Sequence, residues 1–145
     1  MKRKVLLLVL VIILVLVSSG CGMTPPGLPD WAMAEQEVYS YWKAIINRQY
    51  ELAKWYCIID GIWYNKTDEW KEYINTNSEG EASVIIHLPI FYKQAEAVGN
   101  NAVVYAKIFV DKTAFPGSCV IDVDTFEYEI ELIKQNYPPG DWMLK

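Results

Sequence analysis

Histidine is nearly absent from this chain: His87 is the single one in 145 residues. Imidazole catalysis would have to run through it. It stands in an apolar stretch with no acid at a supporting local spacing, so a core or strand-edge histidine is the simpler reading. Cysteine is scarce too, and Cys21, Cys57 and Cys119 have none of the spacing of a zinc site. The eight glycines nowhere cluster into a phosphate-cradling loop. No metal, cofactor or catalytic residue is expected on these grounds. Positive charge is thin beyond the first four residues. The chain's 13 basic residues fall to 10 once Lys2, Arg3 and Lys4 are set aside, against 18 acidic ones, so residues 21–145 carry a formal charge of −8. Such a surface repels nucleic-acid phosphates and does not lie flat on anionic lipid.

Long apolar runs are lacking as well, with one exception. Val5 to Val17 supplies thirteen aliphatic residues behind the basic start. As a helix it spans about 20 Å, short of the ~30 Å hydrocarbon core and suited to a signal-peptide apolar region. It ends in Ser18-Ser19-Gly20-Cys21, which resembles the cleavage box of a bacterial lipoprotein, with Ser18 where leucine is usual. The resemblance implies that residues 1–20 are a signal peptide. Cys21 then becomes the first mature residue, carries palmitate-type acyl chains, and holds the protein at the extracytoplasmic face of the cell membrane. The competing reading is an uncleaved anchor that borrows Ser18 to Met23, but an anchor has no need of a small residue before a cysteine. Residues 21–29, with Pro25, Pro26 and Pro29, form a tether that keeps the domain within roughly 25 Å of the lipid. Residues 30–145 are enough for one domain.

Asp30 is placed to cap a helix whose apolar side is Trp31, Ala34, Val38, Tyr41, Trp42 and Ile45. Asn47-Arg48-Gln49 breaks it. A shorter helix follows over Tyr50 to Tyr56, packing through Leu52, Ala53 and Tyr56. Asp60-Gly61 is a turn, and Thr67 is expected to cap a third helix burying Trp70, Tyr73 and Ile74, before a loop over Asn75 to Gly80. From Glu81 the period becomes two. Ser83 to Leu88 is a strand stopped by Pro89. Phe91 to Val98 and Ala102 to Asp111 form a hairpin about Gly99-Asn100-Asn101. Thr113 to Ser118 is a loop, Val120 to Lys134 a long strand, and Tyr137-Pro138-Pro139-Gly140 turns it into a last strand, Asp141 to Lys145.

The long strand changes parity. Ile121 and Val123 are apolar at odd numbers, but Phe126, Tyr128, Ile130 and Leu132 at even ones. A strand that does this without a bulge turns its core side outward. A bulge near Asp124-Thr125 is expected, which would set Asp122, Asp124, Glu127, Glu129 and Glu131 together on the outer face. Five carboxylates there suit solvent better than calcium, because alternate residues on a strand stand nearly ~7 Å apart.

Three stretches, AIINRQYELAKWYC, VGNNAVVYAKIFV and FEYEIELIKQNYPPGDWMLK, lie in an order of elements that resembles the nuclear-transport-factor-2-like fold. The resemblance covers nearly all of Asp30 to Lys145. It implies an α+β domain with N-terminal helices packed on a curved antiparallel sheet, shaped as a cone. Proteins of that fold include isomerases, dehydratases, transport factors and many lipoproteins, so the resemblance assigns no activity. The isomerase-like ones use a tyrosine–carboxylate or histidine–carboxylate pair in the cone, and no such pair is carried over here residue by residue.

Twenty aromatic residues, six of them Trp, suffice for a core and leave some to line a cavity at the wide end of a cone. Trp42, Trp55, Tyr92, Tyr105 and Tyr128 are the candidates for such a pocket. Cys57 and Cys119 permit a disulfide outside the cytoplasm, although Cys57 equally reads as an ordinary buried small residue. The sequence points to a tethered, monomeric binding module for a small ligand or an envelope protein. The second reading is an isomerase- or hydrolase-like enzyme with a buried acid.

Overall fold

The structure is a computed structural model that describes residues 27–78, 82–113, 120–135 and 142–145, with backbone alone at 120 and 121. Cys21, the signal segment, Cys119 and the turn at Tyr137–Gly140 lie outside the described residues. The architecture is α+β, with helices packed against a strongly curled antiparallel sheet.

Helix α1 (Asp30–Ile46) begins one residue earlier than a cap at Asp30 would require. Pro29 takes the capping place in extended conformation, and its carbonyl accepts from the amides of Ala32 and Met33. Asp30 sits in the first turn instead, where it complements the helix dipole and pairs with Lys134 at 2.8 Å. The buried side is Ala34, Val38, Tyr41, Trp42, Ala44 and Ile45. The helix stops where Arg48 turns left-handed (φ 60°). The Gln49 amide then reaches back to Ala44 and that of Arg48 to Ile45, the paired closure that satisfies a helix's last carbonyls. Helix α2 (Tyr50–Trp55) buries Ala53 and leaves Leu52 exposed.

Helix α3 (Ile62–Asn77) starts five residues before the expected cap at Thr67 and runs through part of the expected loop. Gly61 is its N-cap. Thr67 is buried in the middle of the helix, donating to the Trp63 carbonyl at 2.9 Å. That local bond lets a polar residue sit on the apolar side beside Trp63, Trp70 and Ile74.

Strand β3 (Asn101–Thr113) is the spine of the sheet. Its first part pairs with β2 (Ile90–Val98) and its last part with β1 (Ser83–Ile86) on the same edge, the two separated at Pro89. Gly99, at φ 59°, makes the β2–β3 turn. Two irregularities in β2 follow Phe91 and Lys93. The Ala95 amide donates to Glu35 Oε1 of α1 at 3.0 Å, and the Val84 carbonyl accepts from Arg48 at 3.3 Å. Strand β4 (Val120–Lys134) lies on the other side of β3, and β5 (Trp142–Leu144) beyond it. β5 is closed on its far edge by residues 56–58. The Leu144 amide bonds to the Tyr56 carbonyl at 2.9 Å, and the Ile58 amide to the Leu144 carbonyl at 2.8 Å.

The bulge expected near Asp124-Thr125 is absent, and the irregularity of β4 lies before it. Pairing with β3 is regular from Ile133 to Asp122, and the shift falls at Ile121, where Thr113 pairs with Val120. The consequence is a correction: the five carboxylates do not share a face. Asp122 and Asp124 lie on the parity of Phe126 and Tyr128, toward the helices, while Val123 is exposed outside. Only Glu127, Glu129 and Glu131 stand on the outer face, opposite Lys107, Tyr105 and Val103. Between sheet and helices lies an apolar core of Val104, Ile108, Val110, Ile130 and Leu132 against Val38, Trp42 and Ile45.

Candidate functional site

From the core outward, aromatic rings run in contact. Trp42 meets Tyr41 and Trp70 edge-on with centroids 5.5 and 5.1 Å apart, and lies 27° off parallel to Tyr128 at 6.0 Å. Trp70 meets Phe126 edge-on at 5.1 Å, and Phe126 meets Tyr73 at 5.9 Å. Phe126 and Tyr128, two apart on β4, lie parallel within 3°. The column ends in an open cleft of about 230 Å³ between α3 and β4, lined by Lys66, Glu69, Trp70, Tyr73, Phe126 and Tyr128.

Its wall arises from two periodicities. Residues 66, 69, 70 and 73 recur at the three- and four-residue steps of one helix face, and 126 and 128 alternate on one strand face. This spacing was present in the sequence. What it lacked was the fact that these two faces oppose each other, which follows only from the packing of α3 against the sheet.

The polar groups of the cleft are paired. Lys66 Nζ lies 2.9 Å from Glu69 Oε2. The Tyr73 hydroxyl donates to Asp124 Oδ2, which Lys112 Nζ approaches to 2.6 Å. Lys112, through its hydrogen bond, and then Tyr73 hold the Asp124 carboxyl below its ordinary range. Burial and the carboxylate beside it push the Tyr73 phenol up. Burial raises Tyr128 to about 12, against the pull of a hydrogen bond from Trp70. Both phenols are therefore neutral at physiological pH.

The pocket candidates scatter. Trp42 is wholly buried in the column and Tyr128 lines the cleft. Trp55 is 67% exposed on α2. Tyr92 and Tyr105 contact each other at 6.1 Å on the outer face, with Lys93 and Lys107 over their rings. His87 is also on that side, its Nε2 2.7 Å from Asp111 Oδ2. Cys57 is a free, buried thiol donating to the Ala53 carbonyl, and burial pushes its pKa up to about 12.

Among the described residues no group of three or more His, Cys, Asp or Glu is placed to hold a metal ion, and no helix is long and apolar enough to cross a membrane. Comparisons with known protein families, with curated proteins and with solved structures return no match.

Proposed function

We propose that this chain is a lipid-anchored lipoprotein of the extracytoplasmic membrane face, whose nuclear-transport-factor-2-like domain binds a small ligand without transforming it. The observation that carries the binding role is the aromatic cleft between α3 and β4, whose apolar walls hold only paired polar groups. A curled sheet with helices on one side supports the cone shape. The anchor rests on Ser18 to Cys21 behind the apolar run. A single acyl chain holds marginally and two or more hold stably, so the protein belongs in the membrane fraction.

The enzyme reading has one specific observation in its favour, the Tyr73–Asp124 pair beside the cleft. Its chemistry argues the other way. General acids and bases work best with pKa values near the operating pH, whereas Asp124 is shifted down and Tyr73 up. The pair is better suited to fixing the wall than to moving a proton.

Two experiments test these readings. Wild-type protein should incorporate labelled fatty acid and Cys21→Ser protein should not; equal labelling would end the lipoprotein reading. In a thermal-shift screen of small organic compounds, hits should raise the melting temperature of the wild type and not of Phe126→Ala, which removes a wall of the cleft. A screen without hits would remove the binding role.

A further inference from the structure

We propose that the ligand of this cleft is a quaternary ammonium compound, an inference that rests on the binding role above and names its ligand class. Four rings, Trp70, Tyr73, Phe126 and Tyr128, wall a space of about 230 Å³. That is below the ~300–1,000 Å³ of clefts that take drug-sized ligands, so the occupant is small.

The cleft already places cations against its rings. Lys66 Nζ lies 5.9 Å from the Tyr128 centroid and Lys112 Nζ 5.4 Å from that of Tyr73, both within the ~6 Å over which an aromatic face attracts positive charge. Each of these lysines is held by a carboxylate, Lys66 by Glu69 and Lys112 by Asp124, with Asp122 3.9 Å from Lys112. Three carboxylates around two ammonium groups leave the neighbourhood negative. The formal charge of −8 over residues 21–145 acts in the same direction. The neutral phenols keep the rings electron-rich without adding phenolate.

The kind of cation follows from the walls. Lys66 is bonded to Glu69 and Tyr73 to Asp124. A primary ammonium gives up strong hydration and needs acceptors for its three N–H donors. A quaternary ammonium has no N–H donors, is weakly hydrated and presents alkyl groups, which match apolar ring faces.

The test uses the full chain in a non-ionic detergent, with choline and its uncharged carbon isostere 3,3-dimethyl-1-butanol as probes, followed by tryptophan fluorescence. Choline should bind saturably and about tenfold more tightly than the isostere, because shape and apolar area are shared and charge alone differs. Phe126→Leu, which keeps the apolar volume and loses a ring face, should weaken choline several-fold and leave the isostere unchanged. Equal or tighter binding of the isostere overturns the cation assignment while the binding role stands. If neither probe binds, nor indole, nor a neutral sugar, both fall. Choline binding that Phe126→Leu leaves untouched, in a variant shown to be folded, lies outside this cleft and also overturns the proposal. The charge comparison on the wild-type chain decides the matter even where Phe126→Leu does not fold.

Discussion

The hydroxyls of Tyr41 and Thr67 lie 3.2 Å apart in a part of the core closed to solvent. The Thr67 proton is committed to the Trp63 carbonyl, and burial pushes the Tyr41 phenol far up, so Tyr41 donates and Thr67 accepts. This bond ties α1 to α3 beneath the aromatic column. Thr67→Val keeps the shape and strands the Tyr41 hydroxyl, which should cost about 1–3 kcal/mol in urea unfolding. Adding Tyr41→Phe should restore much of the loss. A double variant as damaged as the sum of the two singles would show that the two hydroxyls are not coupled.

Asp124 gives a pH dependence whose sign is fixed. A carboxyl whose folded pKa lies below its unfolded value of about 3.9 stabilises the fold above that value, and loses the contribution as pH falls through the folded pKa. Asp124→Asn should therefore lower stability at pH 7, by about 1 kcal/mol or less for a partly exposed pair. The gap between variant and wild type should close as pH drops below about 4. Thermal melts of both proteins over this range are the measurement. A gap that stays constant to pH 2 would mean that Lys112 and Tyr73 do not hold the ionised form.

Gly61 is a glycine for space, since its φ of −71° suits any residue. An added Cβ would stand 2.9 Å from the Ile58 carbonyl oxygen and 3.1 Å from the Lys145 carbonyl carbon. Both are backbone atoms at the place where β5, residues 56–58 and α3 converge. Gly61→Ala should destabilise by about 1–3 kcal/mol, as overpacking does. An unchanged melting temperature would show that this junction is loose.

Association is expected to fail through the outer sheet face. Lys107 pairs with Glu127 at 2.5 Å, and Lys145 approaches Glu131 at 3.5 Å, while Glu129 stands between them on the same strand. A two-fold interface would have to desolvate these ion pairs and bring Glu129 toward its own copy. The Thr24–Lys145 domain should be monomeric by light scattering at low salt. A stable dimer, indifferent to Glu127→Lys and Glu129→Lys, would overturn that expectation.

Much of this fold was legible in the sequence. The inner side of α1, the helix break at Arg48, the stop at Pro89 and the full length of β4 all follow from apolar spacing and residues that interrupt it. Thr67 misled because a threonine followed by two acids looks like a cap, and only its bond to Trp63 explains its place inside a helix. The parity change called for a bulge at Asp124-Thr125 that the structure does not have, because Val123 is exposed on the outer face and the shift in register falls at Ile121 instead. Val123 counted as a core residue, and that assignment is what called for a bulge at Asp124-Thr125. The same assignment hid Asp124 from the cleft and put it among the outer acids. The cleft itself was not legible, since its two walls are far apart in sequence and meet only where α3 packs against β4.

The manner in which the sheet ends bears on a hazard that the proposed membrane anchor would increase. Strand edges with open amides and carbonyls recruit strands from other molecules, and anchored chains meet one another often in two dimensions. Here β5 is sealed by residues 56–58. The opposite edge is broken by Pro89 and two register shifts, and it spends an amide on Glu35 and a carbonyl on Arg48. Among the described residues β4 keeps an edge without a strand partner over residues 122–130, because β5 pairs only with Leu132, Ile133 and Lys134, and there the carboxylates of Asp122, Asp124, Glu127 and Glu129 are what oppose pairing between domains crowded on a bilayer as proposed.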